Sequence, residues 1–336
     1  MRNLIYLLLI AFLAVIAACS KSMSYYDNEL DNAEKLMSDN ADSALVILEA
    51  IEPSDIKSDS LLAKYHYLKA YSHMKCHRSM TGDSLVAFSY SFYRGRDVVR
   101  DIRSGNAFAW YKFWVGDTPG AIAMLDSLAA LKNVPDSIMV QTLRTRVLLG
   151  NVEYQGQQLI PFAKRLIELE SDSLRKIEAG YMLVSAYEYA GETDSALYII
   201  EGLIDYVRSH KLGEKHFLYE LELAQLLSEA GCSEESNRVV DDIFAKAGPG
   251  NGAADFLHLQ YAINALNSGD ISRASHYLVL ADSLAVSLNG NDALYFRGYS
   301  NLIHTIIDFK RSGRITLTHI SGLYNRQSER FNRMKA

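Results

Sequence analysis

Three histidines and a cysteine stand close together in the sequence: His66, His73, Cys76 and His77. On one continuous helix His66, His73 and His77 share a face, and the four-residue step from His73 to His77 is one that two zinc ligands can use. No His-Glu-x-x-His glutamate and no fourth ligand accompany them, so the alternative is a polar helix end running into a loop. A second candidate is Gly248-Pro249-Gly250-Asn251-Gly252. A phosphate cradle needs a strand before it and Lys-Ser/Thr after it. Ala253-Ala254-Asp255 follows instead, and a helical pattern precedes it, so this stretch reads as a linker. No Gly-x-Ser-x-Gly elbow occurs. The carboxylate pairs Glu234-Glu235 and Asp241-Asp242 fall on the expected solvated faces of helices. Asp-Ser-Leu recurs from positions 59, 83, 126, 172 and 282, where Asp and Ser suit the capping of exposed amides. These residues define no set of nucleophile, base and orienter, so the sequence points to no catalysis, no metal and no cofactor.

The elements that carry these residues are helical. The chain has 336 residues, 49% apolar and 22% charged, which fits a folded body rather than a disordered one. Only 5 are proline. The formal net charge is −6 with no basic block, which argues against a nucleic-acid surface.

One segment repeats. Asp194-Ser195-Ala196-Leu197-Tyr198-Ile199-Ile200-Glu201-Gly202-Leu203 echoes Asp42-Ser43-Ala44-Leu45-Val46-Ile47-Leu48-Glu49-Ala50-Ile51. In the best unit, Leu183, Val184, Tyr187 and Ala190 share a helical face, Gly191 stops that helix, and Thr193 or Asp194 can cap the next. Ala196, Ile200 and Leu203 then form a buried stripe, with a small residue where the two helices approach. The same frame fits Gly231 with Ser236, Val240 and Ile243. It fits Gly269 with Ala274, Leu278 and Ala281, and Gly116 with Ala121, Leu125 and Leu128. The glycines at 116, 156, 191, 231, 269 and 313 are 40, 35, 40, 38 and 44 residues apart. Some units fit less well. Pro161 belongs in the first turn of its helix, Asn40 replaces a turn glycine, and the loop His77 to Gly82 is long. Thr318 and Gly322 stand where Ala and a large apolar residue belong.

A period just above 34 residues, with Gly and then Ala five residues on, resembles the tetratricopeptide repeat (TPR). The resemblance implies an all-α, right-handed α-solenoid of about eight helix-turn-helix repeats. It covers residues 27–325, with 326–336 a polar, basic tail.

The first residues carry a targeting pattern. Met1-Arg2-Asn3 is a short positive region, Leu4 to Val15 is apolar, and Ile16-Ala17-Ala18-Cys19 follows. At about 15 apolar residues the run is short for a spanning helix, which needs about 20. It resembles a bacterial lipobox: residues 1–18 a signal peptide, Cys19 the lipidated (palmitate-bearing) first residue, 19–26 a tether. Together with the Asp42-Ser43-Ala44-Leu45 unit, this is similar to the TPR lipoproteins of the Bacteroidetes type. That resemblance implies a protein–protein scaffold held at the bacterial envelope by lipid. The missing acidic run after Cys19 favours the periplasmic side of the outer membrane over surface exposure. Cys76 and Cys232, distant in the repeat order, are expected to be free and mostly buried thiols.

In the TPR frame, the concave face comes from the first helix of each pair. Mapping the family's positions gives Asn106, Trp110, Phe113 and Trp114 in one unit and Glu178, Tyr181, Ser185, Glu188 and Tyr189 in another. It also gives Leu221, Gln225 and Ser228, then Phe256, Leu259, Ile263 and Asn267. Aromatic and polar residues on such a face imply recognition of a protein or peptide. The competing role for each aromatic is packing on a neighbouring helix. An envelope-assembly subunit and a carbohydrate-binding lipoprotein are the alternative functions.

Overall fold

The computed structural model describes residues 23–37, 39–210, 213–247, 254–288 and 290–313. The lipobox with Cys19, the glycine-rich segment 248–253, Thr318, Gly322 and the tail lie outside the described residues. Within them the protein is all-α, and inside each compact unit most successive helices pack against one another. In order they are α1 (Met23–Leu36), α2 (Ala41–Glu49), α3 (Asp59–Lys75), α4 (Val86–Tyr93), α5 (Val98–Trp114), α6 (Thr118–Ala129), α7 (Asp136–Val152) and α8 (Gly156–Leu169). Then come α9 (Ser173–Tyr189), α10 (Thr193–Ser209), α11 (Gly213–Glu229), α12 (Ser233–Ala247), α13 (Ala254–Asn267), α14 (Ile271–Leu284) and α15 (Gly290–Ser312). These make seven helix-turn-helix pairs and a fifteenth helix. The chain divides into two compact units, Met1–Leu149 and Gly150–Ala336.

The turns explain why the helices end where they do. At Gly191 the backbone enters the left-handed region, φ +73°. Its N–H then reaches the Glu188 carbonyl, and the Glu192 N–H reaches the Tyr187 carbonyl, so two orphan carbonyls of α9 are satisfied. The same pair of bonds recurs at Gly116, Gly231 and Gly269. Two turns achieve it without glycine: His77 (φ 51°) closes α3 and Tyr154 (φ 55°) closes α7. This corrects two expectations. His77 lies beyond the end of α3, so it does not continue the helical face of His66 and His73. Gly156 is not a turn glycine but the first residue of α8. A Cβ there would stand 2.2 Å from the Ala190 nitrogen, so glycine is what lets α8 start against the end of α9. Starting α8 at Gly156 also puts Pro161 past the first turn.

Helix starts are capped by side chains where the sequence offers a short acceptor. Asn40, Ser58, Asp97, Asp117, Asp172 and Asp270 each accept from a backbone N–H in the first turn. Neither Thr193 nor Asp194 does so for α10. Glu192 takes the N-cap position and makes no side-chain cap bond.

The small-residue stripe is fully buried. Ala121, Ala196, Ser236 and Ala274 are all 0% exposed, as are Leu125, Ile200, Val240 and Leu278 beside them. Leu203 is half-buried and fills the space over Gly180. The Asp-Ser-Leu repeats divide by role. Asp172 caps α9, but Asp126 and Asp282 sit late in second helices and grip the following first helix. Asp126 accepts from Nε of the buried Arg146, and Asp282 from Ser300 and His304. Asp241, expected on a solvated face, does the same with the Tyr261 hydroxyl. Both cysteines are free, but each is partly exposed rather than mostly buried.

Candidate functional site

The first helices of unit 1 carry a neutralised network. Glu34 on α1 accepts from the Tyr67 hydroxyl on α3 (2.7 Å) and from Nη1 of Arg103 on α5 (2.9 Å). Lys64, almost wholly buried, pairs with Asp31 and, at 3.3 Å, with Glu34. Every buried charge here has an opposite partner, as burial requires.

The residues mapped to the first-helix face of this unit are mostly occupied. Asn106 is 4% exposed and donates from Nδ2 to Thr142 Oγ1 at 2.9 Å. Phe113 is 4% exposed and meets Trp110 edge to face, with ring centres 5.8 Å apart. Asn106 and Phe113 are therefore interior residues rather than groove residues. Trp110 and Trp114 are half-buried and pack against the same hydrophobic core. Lower on α3, His73 Nδ1 lies 2.7 Å from Asp83 Oδ2, so it has a carboxylate partner. Among the described residues no three His, Cys, Asp or Glu side chains are grouped to hold a metal.

Unit 2 is different. Tyr181 on α9 donates its hydroxyl to Glu222 on α11 at 2.8 Å, and its ring leans on Tyr219, 5.3 Å between centres. Glu188, two turns beyond Tyr181 on α9, hydrogen-bonds to Glu222 as well. Glu229 stands two turns beyond Glu222. Burial raises Glu188 first, and the nearby negative charges of Glu222 and Glu229 raise it further, to about 7. Burial also raises Glu222 and Glu229, while the Tyr181 hydroxyl pulls Glu222 back down. Among the described residues no ion pair reaches any of the three. Two neighbouring carboxyls without a cation titrate as a pair, the charge on one opposing ionisation of the other.

Tyrosines flank this cluster. Tyr189 and Tyr154 meet edge to face at 5.1 Å and remain 39% and 53% exposed. Ser185 is half-buried and turns its hydroxyl to its own helix, bonding the Tyr181 carbonyl. Gln225 is half-buried on α11. Ser228 is buried and receives Asn267 of α13, whose Nδ2 donates to its carbonyl and hydroxyl at 3.1 and 3.0 Å. Phe256 packs edge to face on Phe296, and Phe256 and Ile263 cover a hydrophobic core that includes Leu259. Tyr181 and Glu188 of α9 thus meet Glu222 of α11; Ser185 and Tyr189 lie on the same helix α9, Gln225 lies one turn beyond Glu222, and Asn267 is tied to α11 through Ser228. Phe256 and Ile263 serve the core.

Glu222, Glu229, Tyr219 and Tyr154 are not among the positions given by the family frame. A signal for two of them was present. The pairs Tyr181/Glu188 and Glu222/Glu229 are each seven residues apart, the same two-turn step on successive first helices. Tyr154 carries no such signal, because it stands at a turn where glycine is usual.

A stack of capped helix pairs with small residues at each crossing defines a TPR-like α-solenoid. Solved structures agree. The apo form of RapI has a TM-score of 0.64 at 10% identity, over 91% of this chain and 87% of that one. A Rap protein complexed with Competence and Sporulation Factor gives 0.54 at 11% identity, over 92% and 88%. A tetratricopeptide repeat protein from Parabacteroides merdae ATCC 43184 gives 0.50 at 16% identity, over 82% and 98%. At such identities the likeness establishes the fold alone. No protein-family model and no curated protein matches the sequence.

Proposed function

We propose that this protein is a non-catalytic binding module whose α9–α11 face holds a polypeptide partner, and that lipid on Cys19 anchors it in the bacterial envelope. One observation carries the binding reading. Glu188 and Glu222 face each other across two first helices with no cation between them among the described residues, beside a tyrosine pair left exposed. A half-buried carboxyl pair without a counter-charge costs stability, and exposed tyrosines are frequent anchors in interfaces. Such a costly arrangement is explained if a partner completes it. The described face offers no nucleophile–base pair, so binding rather than turnover is the economical reading.

Support for a polypeptide partner comes from the fold, since helical-repeat proteins present extended recognition surfaces. A structure of similar fold is complexed with Competence and Sporulation Factor. The anchor rests on the sequence pattern at residues 4–19. Among the described residues no helix is long and apolar enough to cross a membrane. In this reading the acyl chains on Cys19 supply the anchor. We place the protein at the outer membrane facing the periplasm. Two experiments test the proposal. Metabolic labelling with a palmitate analogue should mark the native protein and leave Cys19→Ala unmarked. A photo-reactive amino acid at Gln225 should form adducts in the native cells, and one at Tyr198, on α10 and 77% exposed, should not. Equal adducts at both positions would remove the case for the face.

A further inference from the structure

We propose that the partner presents an arginine side chain, which seats between Glu188 and Glu222 against Tyr181. The inference rests on the binding role of the α9–α11 face and specifies its ligand chemistry. The protein itself contains the template. In unit 1 a glutamate, Glu34, accepts a tyrosine hydroxyl from one first helix and a guanidinium, that of Arg103, from another. In unit 2 Glu222 accepts a tyrosine hydroxyl in the same manner, from Tyr181. Where the first site has Arg103, the second has, among the described residues, Glu188 and Glu229. Between first helices the hydroxyl–carboxylate half of the constellation is built twice among the described residues, and the cationic half once.

Several features select arginine over lysine. A planar guanidinium carries donors on two edges and bonds two carboxylates at once, whereas an ammonium is a point charge. It also lies flat on aromatic rings, and Tyr181, Tyr219 and the Tyr154–Tyr189 pair line this face. Arginine stays charged at any pH where the protein folds, so its arrival expels the proton of the carboxyl pair. The groups facing Glu188 are Glu222 and Glu229 from α11 and Tyr181 from its own helix. On α8, Lys164 faces Tyr187 and Glu192 instead. Binding is therefore coupled to deprotonation and strengthens as pH rises.

The test uses the full chain and an array of short acetylated, amidated peptides of random sequence. Each arginine-containing member has counterparts with citrulline and with lysine at that position. Arginine peptides should dominate the bound set. Citrulline should weaken them roughly a hundredfold and lysine roughly tenfold. Binding should tighten between about pH 5.5 and about pH 8. Glu222→Gln with Glu188→Gln should abolish the arginine preference in a protein that still unfolds cooperatively and no less stably than the native one. Peptides that bind the face, are lost in Tyr189→Ala, and tolerate citrulline without change would overturn the arginine assignment and leave the binding face standing. No peptide binding at all, or binding indifferent to Tyr189→Ala, would overturn both.

Discussion

The Tyr181 hydroxyl donates to Glu222 across the gap between α9 and α11, at 2.8 Å. This bond joins the first helices of two successive repeats and opposes the upward shift that burial imposes on Glu222. Tyr181→Phe keeps the ring and its contact with Tyr219 and removes only the donor. We expect a loss of about 1 kcal/mol in unfolding free energy, the usual worth of one such bond. Partner capture should fall much more than stability. Urea denaturation and binding measured on the same preparation separate the two effects, and an unchanged affinity would show that the hydroxyl is purely structural.

The Glu188 carboxyl makes stability depend on pH in an unusual direction. Its folded value, about 7, lies above the ordinary 4.5. Between those values the native protein holds a proton that the unfolded chain has released. Stability is therefore greatest below the ordinary value and declines as pH rises through 7. Glu188→Gln removes this dependence. The variant should match the native protein near pH 4 and exceed it at pH 8 by about 1 kcal/mol, a figure reduced for the partial exposure of the site. Equal differences at both pH values would contradict the shift.

Close backbone approach at Gly156 makes it the least replaceable glycine described here. A Cβ would meet the backbone of Tyr189 and Ala190, at 2.3 and 2.2 Å, and backbone cannot move aside as a side chain can. Gly156→Ala should cost roughly 2–4 kcal/mol. At Gly180 the nearest atoms belong to the flexible Leu203 side chain, so Gly180→Ala should cost visibly less. Thermal denaturation of both variants ranks them, and the reverse ranking would refute the packing argument.

His77 and Tyr154 occupy left-handed turn positions that glycine fills in the other turns. His77→Gly should stabilise the protein by roughly 0.5 kcal/mol, the relief of steric strain less the added entropy of the unfolded chain. Tyr154→Gly tests something further. It offers the same relief but deletes one of the exposed aromatics, so it should raise the melting temperature while weakening partner capture. A variant that captured the partner normally would place the Tyr154–Tyr189 pair outside the recognition surface.

The scaffold was legible in the sequence because repetition averages out local ambiguity. Gly116, Gly191, Gly231 and Gly269 and their following small residues gave the turn and crossing positions, and the structure places them accordingly. Position 156 misled because its glycine serves a close approach rather than a turn, and spacing alone does not distinguish the two. Second-helix carboxylates were hard to read for a related reason. Asp126, Asp241 and Asp282 look like solvated residues on their own helices, and their partners lie about twenty residues later on the next one. Of the residues mapped by the family frame, Tyr181 and Glu188 meet Glu222 on α11, whereas Asn106 and Phe113 are buried. Those two lie on a helix whose inward side is already covered. Glu222 and Glu229 repeat the seven-residue step of Tyr181 and Glu188, a signal too short to single them out on its own.

The most direct test of the account is arginine-dependent binding at the paired carboxyls. A peptide whose arginine was selected on the array would be titrated into the full chain at about pH 6.5, where Glu188 still holds most of its proton, with proton release followed calorimetrically in buffers of different ionisation enthalpy. The account predicts that binding expels up to one proton near neutral pH, and that Glu188→Gln eliminates the release and weakens the affinity. Tight binding with no proton release near pH 7, unchanged in Glu188→Gln, would contradict it.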